Sequence, residues 1–235
     1  KTDYKDYYED SKIQFIKIYK NGVLSSKKQY LNNGNIKFEQ VINNGVFEDI
    51  SYEYYDSGEL EFKRYYSNDS LYKGYQYNKN GNMSLEGEYK NSKLEGYLKS
   101  YYPNGTLKNI SFYVNGIQQG TEKQYFENGT LQYETDIKNG VSNGVYKEYY
   151  NNGNMKLFIT NTMGKQNGIK KTYYETGNIE AEFFIINEKL EGPYNKYYKS
   201  GTLNYVKPYR NNLLEGVGKG YFESGELWWE VLYKN

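Results

Sequence analysis

The sequence lacks cysteine and histidine altogether, and it has only 3 Pro, 3 Met and 2 Trp among its 235 residues. Without cysteine the chain has no disulfide, no thiol nucleophile and no thiolate ligand for a metal. Without histidine it has neither the commonest general base nor the commonest transition-metal ligand. These absences argue against most enzymes, so the sequence predicts no catalytic residue, no metal site and no cofactor.

A charge excess and long apolar runs are missing as well. The 30 Lys and Arg are offset by 29 Asp and Glu, which leaves a formal net charge of +1. Nucleic-acid binding would need a basic excess or patch, so the sequence predicts no nucleic-acid partner. No apolar run is long enough for a membrane-spanning helix. Arginine occurs only at Arg64 and Arg210, and the abundance of Lys, Asn, Tyr and Ile suggests an AT-rich, bacterial genome.

Tyrosine and glycine, by contrast, are abundant, with 32 Tyr and 24 Gly. The mean hydropathy of −0.99 would be typical of a disordered chain, but an aromatic content of 19% is not. A tyrosine ring packs while its hydroxyl stays hydrated. The composition therefore predicts a thin structure with much surface and little deep core.

A repeat of 24 residues organises the chain, with one interval of 23. Each copy has a turn glycine, a tyrosine four residues before it and an aliphatic residue two after it. A degenerate first copy, residues 7–13, has Ser11 in the glycine place. We predict one repeat domain over 1–235, with a capping repeat at 1–25, repeats at 26–220 and a capping half-repeat at 221–235. The turn glycines are Gly34, Gly58, Gly81, Gly105, Gly129, Gly153, Gly177, Gly201 and Gly225.

The copy from Tyr101 to Leu107 predicts the tip of a β-hairpin, because two aromatic residues end one strand, an Asn-Gly turn reverses the chain and an aliphatic residue opens the next strand. Variants of this stretch recur in the other copies. In the copy around Gly105, a three-residue loop places Tyr101 opposite Leu107, and Lys99 opposite Asn109. The fold class predicted is all-β: an elongated, single-layer antiparallel meander of about ten 24-residue hairpin repeats, forming a twisted rod or gutter.

This register divides the side chains between two faces. Face one carries the tyrosines four before each glycine and the aliphatic residues two after it. Face two carries the aromatic residues three before the glycine, such as Tyr102 and Tyr150. The residues four after the glycine are predicted on face one: Phe15, Phe38, Phe62, Leu85, Tyr133, Leu157, Tyr205 and Trp229.

The repeated pattern E-G-x-x-K-x-Y-Y-x-N-G-x-L, here Glu95 to Leu107, resembles the variant MORN-type repeat of bacterial proteins, particularly YwqK-family antitoxins. The resemblance covers nearly the whole chain and is weakest around 71–88. It implies a sheet of stacked hairpins that acts as a protein-interaction or membrane-associated scaffold, without catalytic residues. Choline-binding and clostridial cell-wall repeats are a rival resemblance, but those are shorter and rely on tryptophan.

The candidate binding face combines the tyrosine column of face one with a column of lysines six before the glycine. Such a row of ammonium groups could meet an acidic protein or anionic lipid. Alternatively, the lysines serve solubility and the tyrosines are structural cross-strand pairs. The candidate residues are Lys99, Tyr101, Lys123, Tyr125, Lys147, Tyr149, Lys171 and Tyr173.

Two other features depart from or overlay the repeat. Glutamates five after the glycine occupy alternate copies: Glu39, Glu86, Glu134, Glu182 and Glu230. Two of them lie roughly 19 Å apart, too far for a glycosidase carboxylate pair. Trp228 and Trp229 are expected on opposite faces of the last strand, as an end cap or dimer patch.

The sequence thus favours a non-enzymatic protein-interaction or scaffold module with a protein partner. A surface adhesin that binds glycans through the tyrosines, and a cytoplasmic antitoxin or immunity protein, stay open as alternatives. Anionic lipid and an end-to-end homodimer are further alternatives for the partner. We expect a bacterial secreted or cell-envelope location, with a cytoplasmic one as the alternative.

Overall fold

A computed structural model describes residues 1–42, 49–68 and 70–234. They form 21 strands and no helix within these ranges, which confirms the all-β class. The chain divides into two units after Ile117, and each unit is a meander of antiparallel hairpins. The first unit contains β1 (Thr2–Tyr7), β2 (Ile13–Lys20), β3 (Val23–Tyr30), β4 (Ile36–Val41), β5 (Asp49–Tyr54), β6 (Leu60–Ser67), β7 (Ser70–Tyr77), β8 (Met83–Lys90), β9 (Lys93–Tyr101) and β10 (Leu107–Val114).

The second unit begins at Gln118, one residue into β11, and consists of the same kind of antiparallel hairpin. Its strands are β11 (Ile117–Tyr125), β12 (Leu131–Lys138), β13 (Val141–Tyr149), β14 (Met155–Thr162), β15 (Lys165–Tyr173), β16 (Ile179–Ile186), β17 (Lys189–Tyr197), β18 (Leu203–Arg210), β19 (Leu213–Leu214), β20 (Gly216–Tyr221) and β21 (Leu227–Tyr233).

The hairpin tips adopt the predicted three-residue loop. Tyr102 N–H donates to the Thr106 carbonyl at 2.8 Å, and Gly105 N–H donates back to the Tyr102 carbonyl at 2.8 Å. Gly105 has a φ of +89°, a conformation that is costly for any residue with a Cβ. This requirement explains why a glycine recurs at this position of the repeat.

The register beyond the tip differs from the prediction by one residue. Tyr101 pairs with Leu107 as expected, but Lys99 pairs with Ile110 and not with Asn109. The pairing slips between Leu107 and Asn109, so Lys108 is the extra residue of a β-bulge. The same slip follows the tip of β13–β14, β15–β16 and β17–β18. A bulge adds one residue to one strand only, which the alternation of side chains in the sequence does not reveal.

This bulge moves the residues four after the glycine from face one to face two. Tyr133 pairs with Gln124 and Glu148, and its ring stacks on Tyr146 at 5.8 Å. The prediction that Tyr133 and its equivalents share face one with the tyrosine column is therefore wrong. In their place, the bulge brings the glutamates five after the glycine to face one.

The core is thin, as the composition predicted. Among the described residues only Ile159 and Ala181 are buried apolar side chains, together with the small polar residues Ser51, Ser111 and Thr135. Ser111, Thr135 and Ile159 occupy one position of the repeat, six after the glycine.

Successive hairpins are joined by hydrogen bonds near the tips. The hydroxyl of Tyr174 donates to the Tyr197 carbonyl at 2.7 Å, and Tyr150 donates to the Tyr173 carbonyl at 2.8 Å. Asparagines of one tip also reach the next: Asn152 and Asn154 Nδ2 donate to the Glu175 carbonyl at 3.0 and 2.9 Å. The face-two tyrosines therefore link neighbouring hairpins through hydrogen bonds from their hydroxyl groups. The sequence alone did not predict this role.

Candidate functional site

The lysine column of face one is neutralised by the glutamates that the bulge brings beside it. Every lysine of the column forms an ion pair on a neighbouring strand. The Nζ–Oε distances are 3.0 Å for Lys28–Glu39, 2.7 Å for Lys99–Glu86, 3.7 Å for Lys123–Glu134, 2.8 Å for Lys147–Glu134, 3.1 Å for Lys171–Glu182 and 3.1 Å for Lys219–Glu230. Face one therefore presents paired charges in place of a row of free cations.

Glu134 shows how these clusters are built. It lies on β12 between Lys123 on β11 and Lys147 on β13, and the hydroxyl of Tyr149 also donates to it, at 3.3 Å. The hydrogen bond from Lys147 is the main reason that the pKa of Glu134 lies below its ordinary value; partial burial opposes the shift. The carboxylate thus stays ionised at neutral pH and acts as a hydrogen-bond acceptor.

The tyrosines of these clusters are held in their neutral form. Burial, followed by the hydrogen bond to Glu86, raises the pKa of Tyr101 to about 12. Burial and the hydrogen bond to Glu182, 2.8 Å away, raise the pKa of Tyr197 to about 12. A hydroxyl that donates to a carboxylate resists ionisation because its anion would face a like charge.

The predicted candidate residues are therefore brought together in groups. Lys99 and Tyr101 meet at Glu86, whereas Lys123, Lys147 and Tyr149 meet at Glu134. The backbone carbonyl of Tyr173 accepts the hydrogen bond from the Tyr150 hydroxyl, and Tyr125 also has an interaction partner. The glutamate of each group was missed as a partner, although its spacing would have identified it had the bulge been known.

Three equivalent depressions lie on face one beside these clusters. Each is lined by the same repeat positions: six and eight before the glycine on the flanking strands, and five to seven after it on the central strand. Their central strands are β8, β12 and β16, two hairpins apart. Their volumes are about 90, 210 and 210 Å³, respectively.

The lining of these depressions differs although their backbone positions match. The β8 depression contains Lys73, Glu86, Glu88, Tyr97 and Lys99. The β12 depression contains Thr121, Glu134, Asp136, Val145 and Lys147. The β16 depression is lined by Ile169, Lys171, Glu182, Phe183, Phe184, Pro193 and Asn195, so that one half of it is apolar.

The two tryptophans lie in the last hairpin, β20–β21. Trp229 pairs with Gly220, and its indole occupies the space where a Cβ on Gly220 would stand. Trp228 is the extra residue of the bulge and packs on Phe222, with ring centroids 5.5 Å apart. The bulge thus interrupts the alternation of side chains between the two faces at Trp228. The prediction that the two indoles lie on opposite faces assumed strict alternation, and that assumption is wrong. Trp228 is 60% exposed.

Residues 1–42, 49–68 and 70–234 contain no group of three or more acidic side chains arranged to hold a metal ion. The same ranges contain no helix with the length and apolar character needed to cross a bilayer.

One protein-family model matches part of the chain. The model described as "MORN repeat variant" matches residues 94–115, 118–139, 142–157, 166–187 and 214–235. Repeats of this kind are non-catalytic modules that commonly bind proteins or membranes. All five matches follow residue 93, so none includes residues 71–88, where the resemblance is weakest.

Solved structures share only a weak likeness with the chain. The Photorhabdus luminescens Tc holotoxin pore carrying the TccC3-D651A mutation is 13% identical, with a TM-score of 0.24. A complex of TcdB2, TccC3 and Cdc42 is 12% identical, with a TM-score of 0.19. The alignments cover 98% and 97% of this chain but only 15% and 16% of those chains, so this chain spans under a fifth of their length. Among curated proteins, none matches.

Proposed function

We propose that this chain is a non-enzymatic protein-interaction module whose main contact surface is the terminal hairpin, β20–β21. The observation that supports the proposal is a concentration of exposed apolar side chains there. Their exposed fractions are 47% for Phe222, 53% for Leu227, 60% for Trp228, 44% for Val231 and 58% for Leu232. Apolar residues clustered at one place on a surface are characteristic of protein contacts.

The backbone of β21 supports the same proposal. Within the described residues β21 pairs with β20 alone, so its outer edge offers unpaired N–H and C=O groups. Exposed edges invite pairing with another strand unless charges or prolines block them. The edge strand β1 carries Asp3, Lys5 and Asp6, whereas β21 has one charged residue, Glu230. A partner that adds a strand to β21 would gain backbone hydrogen bonds and bury the apolar side chains together.

The predicted face of Lys99, Tyr101 and their equivalents remains a second part of this proposal. Because those lysines are paired with glutamates, a partner would meet tyrosine rings and hydrogen-bonding groups there, and bulk positive charge would contribute little. The end-to-end homodimer is the case in which the partner of β21 is a second copy. Two copies of β21 related by a twofold axis would pair antiparallel.

The test compares two doubly substituted chains. Trp228→Asp with Leu232→Asp changes the terminal hairpin, and Val141→Asp with Met163→Asp changes apolar residues that are also exposed, 47% and 80%. Each chain is immobilised for affinity capture from extracts of the native host, and its mass is measured by light scattering. The proposal expects a captured protein, or a dimer, that the terminal-hairpin variant loses and the control keeps. A monomer that captures nothing, or a partner that survives both changes, would contradict it.

A further inference from the structure

The β16 depression of face one departs from its two equivalents in a specific way. Phe184 stands where the β8 depression has Glu88 and the β12 depression has Asp136. Pro193 stands where they have Tyr97 and Val145. An acidic wall is thereby replaced by an apolar one, while the glutamate five after the glycine is kept as Glu182.

The apolar half is open to solvent. Phe184 is 42% exposed, Pro193 is exposed, and Ile169 beside them is half-buried. An exposed ring next to a proline on an otherwise polar face offers a flat apolar platform. Such a platform favours a ligand that has an apolar side of its own.

The polar half is neutral and only partly occupied by internal contacts. Lys171 Nζ lies 3.1 Å from Glu182 Oε2, and Glu182 Oε1 accepts hydrogen bonds from the Tyr197 hydroxyl at 2.8 Å and from Asn195 Nδ2 at 3.4 Å. An ammonium group has three N–H donors and a carboxylate accepts several hydrogen bonds, so both retain capacity. The opposite charges cancel, which favours an uncharged ligand rich in hydrogen-bonding groups.

Size separates the three depressions further. A volume of about 210 Å³ holds one six-membered sugar ring, whereas the 90 Å³ of the β8 depression does not. The β12 depression also has about 210 Å³, but there Glu134 and Asp136 outnumber Lys147 and no aromatic ring is present. Of the three, the β16 depression alone combines sufficient volume, an aromatic wall and a neutral polar rim.

We propose that this depression binds one neutral pyranose ring of a glycan. The C–H face of the ring would lie on Phe184 and Pro193, and its hydroxyls would exchange hydrogen bonds with Lys171, Glu182 and Asn195. A purely apolar side chain fits less well, because it would remove the polar half from water without replacing its hydrogen bonds. The site is separate from the terminal hairpin, so the test of sugar binding is independent of the test of the protein-binding proposal.

The test is saturation-transfer NMR on the 235-residue chain with a panel of methyl pyranosides of glucose, galactose, mannose and N-acetylglucosamine. At least one should bind with a dissociation constant on the order of 1–10 mM, as expected for a single ring in a shallow site. Phe184→Leu, which keeps apolar volume without the ring, should weaken binding about two- to tenfold. Phe184→Tyr should keep it, and Phe184→Asp, which copies the β12 lining, should abolish it.

Leu213→Asp is the matched control, because Leu213 is 56% exposed and does not line the depression. It should leave the dissociation constant unchanged. Three results would overturn the proposal: no pyranoside binds, binding is insensitive to Phe184→Asp, or Leu213→Asp weakens it equally. N-acetyl-phenylalaninamide and N-acetyl-leucinamide are measured alongside. If these bind and the pyranosides do not, the depression is a side-chain pocket for a protein partner and the sugar assignment is wrong.

Discussion

In the repeat around Gly177, the tip half (residues 171–183) and the connecting half (residues 184–194) differ in how much they vary between copies. The tip half keeps the tyrosine four before the glycine, the glycine itself and the aliphatic residue two after it, and the Tyr174 hydroxyl donates to the next hairpin. The connecting half has Phe184 and Pro193 here, but Asp136 and Val145 two hairpins earlier. The constant half maintains the sheet, and the variable half gives each part of face one its own chemistry.

The largest difference in stability between the two halves is expected at a tip glycine. Gly177 has a φ of +98°, so Gly177→Ala should lower the free energy of unfolding by about 1–2 kcal/mol. The control lies in a connecting turn: Met163 is 80% exposed, and Met163→Lys should stay within about 0.5 kcal/mol of the wild type. Urea unfolding followed by circular dichroism gives both values. Equal effects of the two substitutions would abolish the distinction between the halves.

A smaller effect is expected from a single tyrosine hydroxyl at the tip. Tyr174→Phe removes the 2.7 Å hydrogen bond to the Tyr197 carbonyl and should cost about 0.5–1.5 kcal/mol. Tyr7→Phe, at an exposed position of β1, provides the comparison and should change stability little. The same urea experiment measures both, and a Tyr174→Phe chain as stable as the wild type would show that the tip ties are dispensable.

The smallest effect concerns the ionisation of the tip tyrosines. The pKa of Tyr197 is raised from 10.0 to about 12, so the fold favours its neutral form. The corresponding stability is complete below pH 10 and is lost as the pH rises towards 12, because the unfolded chain ionises first. Tyrosinate absorbance should show a late-titrating component, and Tyr197→Phe should reduce it. An unchanged titration curve would contradict the assignment of that pKa to Tyr197.

At low pH, Glu182 of the same cluster gives the stability a pH dependence of the opposite sign. The hydrogen bond from Tyr197 is the main cause that lowers the pKa of Glu182 below 4.5. Its contribution to stability is therefore present above the unfolded value and fades as the pH falls through the folded pKa. The cluster of Glu182, Lys171 and Tyr197 thus contributes at neutral pH, between these two limits.

Much of the candidate site could be predicted from residue spacing. The error in the prediction comes from one residue per hairpin, the extra residue of the bulge. Lys99 and Tyr101 were assigned to one face correctly, since alternation along a single strand suffices for that. Glu86 was not recognised as their partner, because the register across the hairpin depends on the bulge at Lys108. Backbone hydrogen bonding decides such a bulge, and the side-chain pattern of one strand carries no signal of it.

The repeat, the hairpin and the three-residue tip could be predicted from the sequence, because the turn glycine and the aromatic residues before it recur at a fixed spacing. Which residues of neighbouring strands meet became clear only from the folded sheet. The bulge moved Tyr133 and its equivalents to face two, placed the glutamates beside the lysines and set Phe184 and Pro193 around one depression. Local conformational preferences depend on the residues of one segment. The cross-strand register depends on how two segments pair and is therefore fixed only when they fold together.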